Sequence, residues 1–384
     1  MPTFDHDLII VGSGPAGSAT ALHLARRAPS LVRRTLILER DRHPRPKLCA
    51  GGVMPDAERC LERLGLDMRE IPSAPVKRIH LLFRGRGMAL EGRGDLAFRV
   101  VRRHELDAWL ADKVRGAGFT LQEETRVTAV RRVEGGVEIE TDRGVLRARA
   151  VVGADGSAGV TRRVVQPARG TGVARTVEVV TPASSARFPD DSCAADEAYM
   201  EFGAVPSGLM GYSWSFPAVE KGVARRTFGT FDSRVGAAPP SGPLPEVLRE
   251  EMASRGFALD DYALAGHPLR WLERGAPLSA PHVLLVGDAA GACALFGEGI
   301  SPALGYGELA AGALARGFAR GDLSFSSYTR EVSWSPLGRA LHRRRVLARL
   351  VYGMREPMLQ AIFSRAAGPA LDFVVQRLVF NWTS

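Results

Sequence analysis

Cysteine is scarce in this chain of 384 residues: Cys49, Cys60, Cys193 and Cys293 are all there are, with no CxxC pair. That argues against a disulfide framework and for a reducing compartment. No apolar run reaches the ~20 residues that a membrane-spanning helix needs. The N-terminus enters a strand pattern almost at once, so no signal peptide is expected. The reading is a cytoplasmic protein, at most peripheral to a membrane. Metal-ligand spacings and a GxSxG elbow are missing. So are zinc-finger, RNP and helix-turn-helix signatures, which removes nucleic acid from the expected partners. Acidic residues are the minority charge, 42 against 51 Lys and Arg, for a net +9. The excess is mostly Arg spread along the chain. It reads as surface charge, with attraction for phosphates, an anionic substrate or a membrane face as the functional version.

Glycine, by contrast, is abundant at 42 residues, and its placement is informative. Asp7–Val11 reads as a buried parallel strand, followed by GSGPAG and a helix through SATALHLARRA. A second strand, Thr35–Leu38, ends at Glu39. This is a βαβ unit. Gly12 permits the tight turn, Gly14 lets backbone approach a pyrophosphate, and Gly17 allows close strand–helix packing. Pro15 and Ala16 open the helix whose N-terminus faces the phosphates. Glu39 is placed to accept from a ribose 2′-hydroxyl. These residues predict FAD or NAD binding.

Further along, residues 76–101 alternate with Gly-rich turns and predict a β-excursion. Arg102–Ala117 predicts a helix, and Arg126–Gly153 three strands with turns at 134–136 and 142–144. The last strand runs into Val151-Val152-Gly153-Ala154-Asp155-Gly156. Residues 165–275 predict an antiparallel sheet. Val283–Val286 returns to a buried strand ending in Gly287-Asp288-Ala289-Ala290, and a helix is expected over Ser301–Ala315. Asp155 and Asp288 each sit in a small–Asp–small turn after a buried strand, where a carboxylate can bond a ribitol hydroxyl or orient backbone around an extended cofactor.

Taken together, these motifs resemble the FAD-dependent family that includes aromatic hydroxylases, flavin halogenases and geranylgeranyl reductases. The resemblance covers residues 5–320. It implies FAD and an α/β fold, a glutathione-reductase-like Rossmann domain interleaved with an antiparallel-sheet substrate domain. The expected cofactor domain comprises 1–75, 100–164 and 276–325, the substrate domain 76–99 and 165–275, and a helical C-terminal region 326–384. Arg103, four residues before Asp107, matches the family's cofactor-contacting Arg, with Arg102 as the alternative. Gly297-Glu298-Gly299-Ile300 opens a helix whose N-terminus the family places at the flavin pyrimidine edge. ACALFGEG lacks the family's Pro before this loop, so a different loop shape is expected around Cys293 and Phe296.

Two motifs point within the family. PRPKLCAGG resembles the K–x–C–G–G segment of geranylgeranyl reductases, with Ala50 in place of the first Gly. Tyr212-Ser213-Trp214-Ser215-Phe216-Pro217 resembles their Y–x–W–x–F–P motif. On a strand, Tyr212, Trp214 and Phe216 share a face, which suits an apolar chain over a flavin or the core face of a sheet. Ala218 stands where many relatives carry Lys. Cys49 is read either as an inert buried thiol or as a thiol beside the flavin. The thiol beside the flavin is the sharper of the two, and a redox pair with Cys293 is a further alternative.

The resemblance implies Cys49, Tyr212 and Trp214 as catalytic candidates. Arg40, Lys47, Cys49, Ala50 and Val127 join the cofactor-binding set. The expected activity is hydride transfer from reduced flavin to C=C bonds of a prenyl or polyene substrate. With no second GxGxxG, the electron donor is external, NAD(P)H or ferredoxin-type. A hydroxylase, a halogenase and a flavin electron-transfer module are the rival readings. The His342–Arg345 run reads as a solvated helix face, or else as a contact for pyrophosphate or an anionic lipid head group.

Overall fold

A computed structural model describes residues 4–92, 96–167, 172–183, 196–236, 244–375 and 381–383. Cys193 lies outside them. The elements that position the site, in chain order, are β1 (His6–Val11), α1 (Pro15–Arg27), β2 (Thr35–Leu38), α2 (Pro55–Arg63), β3 (Arg78–Phe83), β4 (Arg86–Glu91), α3 (Arg103–Gly116), β5 (Gly144–Gly153), β6 (Val173–Pro182), β7 (Glu197–Glu201), β8 (Gly211–Glu220), β9 (Val223–Asp232), β10 (Ala265–Arg270), β11 (Val283–Leu285), α4 (Ile300–Arg320) and α5 (Pro336–Tyr352).

One sheet is built around β1, which pairs in parallel with β2 on one side and β5 on the other; β11 adds beyond β5. Leu8, Ile9 and Ile10 of β1 and Val151 and Val152 of β5 are fully buried, as expected for parallel strands covered on both faces. β5 is long. Its first half forms an antiparallel hairpin with Gly136–Thr141, and its second half feeds the parallel core. α1 and α4 pack closely, because Gly307 meets Ala19 and Thr20 where a Cβ would lie 2.6 Å from the Ala19 Cβ.

The second sheet has seven strands in the order β10-β6-β9-β8-β7-β3-β4. All its pairings are antiparallel except β7 with β3, where Ala198 lies beside Ile79 in parallel. The 76–99 excursion divides between two sheets. β3 and β4 join the seven-stranded sheet, while Ala74–Val76 and Phe98–Val100 pair with each other beside Gly52–Val53 in a separate three-stranded sheet. The C-terminal region is helical, with α5 as its longest helix. Among the described residues no helix is long and apolar enough to cross a membrane.

Candidate functional site

A cavity of about 500 Å³ lies between the carboxyl ends of β1, β2, β5 and β11 and one face of the second sheet. Ligands of open parallel sheets bind at such strand ends. The residues expected to hold the cofactor all line it, with the single exception of Gly17. Gly17 serves packing instead: a Cβ there would lie 1.9 Å from the Gly12 carbonyl oxygen. Gly12 has φ +100°, and its Cβ position is 2.4 Å from the Ala154 oxygen, so only glycine permits this turn.

Gly14 differs from both. A Cβ there meets no backbone; its nearest neighbours are Nη2 of Arg45 at 3.6 Å and of Arg103 at 3.8 Å. The N-terminus of α1 and two guanidinium groups thus converge on one open spot. Arg103 donates to Asp107 through Nε at 2.9 Å and Nη2 at 2.8 Å. Arg45 is buried, its Nη2 3.2 Å from Asp107 Oδ2 and its Nε 3.4 Å from Glu39 Oε1, the latter an ion pair without hydrogen-bond geometry. The two carboxylates fix the guanidinium groups without enclosing them. Arg45 is a site residue that the sequence reading missed. Arg102, the alternative to Arg103, turns away to Glu178 and Glu220 of the second sheet.

The end of β2 supplies the next part. Glu39 Oε2 accepts from the Ser13 N–H at 3.0 Å and the Ser13 hydroxyl at 2.9 Å. Arg40 is exposed and pairs with Asp41, and Val127 lines the cavity beside them. Asp155 Oδ2 accepts from the Thr161 N–H and hydroxyl, both at 2.9 Å. Its Oδ1 is buried without a partner, and burial pushes the carboxyl up against the pull of the Thr161 bonds. Asp288 Oδ1 would lie 3.2 Å from a Cβ on Gly299, the N-cap of α4.

Around this cradle the loop from Arg45 to Gly52 places Lys47, Cys49 and Ala50 on the cavity wall. Lys47 Nζ stands 3.2 Å from Nε2 of His267 on β10. Burial lowers both groups, reinforced at Lys47 by Arg103, and at His267 by Lys47, bringing the imidazole to about 4. With its imidazole neutral, His267 presents a ring-nitrogen lone pair that accepts from the Lys47 amino group. His267 was also missed by the sequence reading. Cys49 is half-buried, and its Sγ accepts from the Gly51 N–H at 3.4 Å. Cys49, Cys60 and Cys293 are all free thiols.

The second sheet contributes aromatics. Tyr212, Trp214 and Phe216 on β8 face the cavity, and Phe98 meets Phe216 edge-on at 5.4 Å. The Tyr212 hydroxyl donates to the Phe296 carbonyl at 2.8 Å, tying β8 to the Gly297 loop. Burial raises Tyr212, so this catalytic candidate holds its proton firmly. The His342–Arg345 run is not the solvated face expected of it. Arg344 is 1% exposed, pairs with Glu298 at 3.1 Å and approaches Asp56 at 3.9 Å. α5 thereby braces the loop that opens α4. Among the described residues no cluster of His, Cys, Asp or Glu is placed to hold a metal.

These features fit an extended dinucleotide. The open spot at Gly14, framed by two guanidinium groups, has the room and the charge that suit a pyrophosphate, and the orphaned Asp155 Oδ1 is an acceptor of the kind a hydroxyl would meet. Comparison with known proteins agrees. A family model described as FAD binding domain matches residues 5–228. The chain is 28% identical over 346 residues to digeranylgeranylglycerophospholipid reductase 2 of Methanopyrus kandleri, covering 84% of this chain and 80% of that one. A geranylgeranyl bacteriochlorophyll reductase-like structure from Thermoplasma acidophilum superimposes with TM-score 0.74 at 20% identity, over 99% of this chain and 93% of the other. The flavin-dependent brominase Bmp2 follows at TM-score 0.69 and 16% identity, over 98% and 94%.

Proposed function

The chain belongs to the family defined by this FAD binding domain, and on that premise we propose that it is a reductase of C=C bonds in a prenyl or polyene substrate. The observation that carries this reading is the aromatic row Tyr212, Trp214 and Phe216, which walls the same cavity as the cofactor cradle and the Lys47–Cys49 loop. FAD, bound and reduced, supplies the hydride for such a reaction. The protein's own residues orient and shield. Arg45, Arg103 and the α1 N-terminus hold the pyrophosphate. The α4 N-terminus stabilises negative charge at the flavin edge. The aromatic row excludes water and aligns an apolar chain, and Lys47, paired with His267, holds a proton at the cavity wall. Electrons come from an external donor of NAD(P)H or ferredoxin type.

Anaerobic photoreduction followed by geranylgeranyl diphosphate tests this. The expected result is flavin reoxidation with a gain of two mass units per reduced double bond. Flavin that stays reduced until air enters, with oxygen consumed in step with product, overturns it. That outcome would favour the oxygen chemistry of a hydroxylase or halogenase, a reading supported by the fold shared with the brominase.

A further inference from the structure

A row of residues that carries two polar groups crosses the cavity face of the second sheet. Met200 of β7 lies beside Trp214 of β8, Trp214 beside Gly229 of β9, and Gly229 beside Glu178 of β6. Gly229 is the reason this row is open. A Cβ there would lie 2.1 Å from Cζ2 of Trp214, so the missing side chain lets the indole lie across β9 toward Glu178. Adjacent strands are about 4.8 Å apart, which brings the indole edge and the carboxyl over the same glycine.

Both groups are left without hydrogen-bond partners. Nε1 of Trp214 is buried and unpaired, and so is Oε2 of Glu178. Glu178 is 3% exposed, and among the described residues its one ion-pair partner is Arg102, 4.0 Å from its other oxygen; Arg102 in turn approaches Glu220 at 3.7 Å. Both residues line the cavity, among Ile79, Phe98, Met200 and Phe216. An unpaired buried donor and an unpaired buried acceptor are each costly, and here they face the same space.

We propose that this row receives a hydroxyl group of an otherwise apolar substrate, accepting from the Trp214 N–H and donating to Glu178. A hydroxyl is the small neutral group that does both at once. An ether can only accept, and a phosphate would face the carboxylate. Burial raises Glu178 to about 7, and a hydroxyl suits either state of the acid, since its carbonyl oxygen also accepts. The inference deepens the reductase reading, on which it rests only for the prenyl nature of the chain.

The test is titration of the holoprotein with farnesol and with farnesyl methyl ether, followed by the flavin visible spectrum, in wild type, Glu178→Leu and Trp214→Phe. Wild type is expected to prefer the alcohol by about tenfold or more, since a site built to bond a hydroxyl rejects the analogue lacking its proton. Glu178→Leu removes the preference and leaves ether binding unchanged, while Trp214→Phe reduces it. If Glu178→Leu loses its flavin through misfolding, Trp214→Phe decides alone. Equal binding of the two ligands by wild type, or a preference that survives both substitutions, overturns the proposal. Selective alcohol binding without oxidation of reduced flavin leaves this site standing and removes the reductase reading. Reduction of both ligands with equal affinity does the reverse.

Discussion

Lys47 and His267 meet at 3.2 Å across the cavity, the first on the loop after the βαβ unit and the second on edge strand β10. Their contact ties the loop after β2 to the second sheet at the candidate cofactor site and has a pH signature. The folded-state His267 lies near 4, below the usual imidazole value of 6.5, because burial and Lys47 both oppose its charging. The unfolded chain therefore binds more protons between about 6.5 and 4, and stability contributed here is lost as pH falls through that window. The melting temperature of His267→Gln is expected to fall less than that of wild type between pH 6.5 and 4. Comparing the two curves separates His267 from His23, which burial also holds at about 4. Parallel curves would remove this account.

Gly14 and Gly17 belong to one motif but fail differently. Alanine at Gly14 keeps a φ of −68° and meets no protein atom closer than 3.6 Å. Its methyl group instead enters the space framed by Arg45 and Arg103. Gly14→Ala is expected to weaken FAD binding about tenfold or more, roughly 1.4 kcal/mol or above, with the melting temperature of the apoprotein unchanged. Gly17→Ala forces a methyl group onto the Gly12 carbonyl at 1.9 Å and is expected to lower that temperature. Flavin fluorescence titration with parallel thermal unfolding separates the two effects, and identical behaviour of the two variants would contradict this division of roles.

The contrast shows what the sequence makes legible. The glycines, Glu39 and the strand-end aspartates follow stereochemical rules within short windows, so their positions could be read directly. Tyr212, Trp214 and Phe216 announced a common face through the two-residue period of a strand. Arg45 carries no such signal. It sits in an aperiodic loop, and its partner Asp107 lies on α3, far along the chain. Glu178 and His267 face the cavity only through the β6 pairings with β9 and β10. Within TVEVV, the flanking valines imitate the inward face and the Glu the outward one, whereas the strand places the Glu on the cavity. Arg344 was hidden by its basic neighbours, because only the packing of α5 under the Gly297 loop separates it from them.

That buried Arg344 yields a stability prediction. Arg344→Met keeps the apolar stem but leaves Glu298 and Asp56 facing an uncharged side chain in a dry environment. Removing one member of a buried ion pair costs about 3–5 kcal/mol. The midpoint of urea unfolding is expected to fall accordingly, and flavin affinity should weaken because the loop at the α4 N-terminus loses its brace. A loss below about 1 kcal/mol, the range of exposed pairs, would mean that the pair does not hold the loop.

Tyr212→Phe distinguishes a positioning phenol from a proton donor. The hydroxyl already donates to the Phe296 carbonyl at 2.8 Å, and burial raises it above the ordinary tyrosine value. A group so engaged is a poor source of a proton for an alkene carbon. The variant keeps the ring, its tilted contact with Trp214 at 6.3 Å and its edge contact with Phe296 at 5.9 Å. The free energy of unfolding should therefore fall by about 1 kcal/mol for one lost hydrogen bond. Substrate-driven reoxidation of reduced flavin, followed by stopped-flow absorbance, should slow by no more than a few-fold at every pH. A loss of a thousandfold with no more than this small change in stability would instead make the Tyr212 proton part of the chemistry, as general acid removal costs about 10²–10⁴-fold.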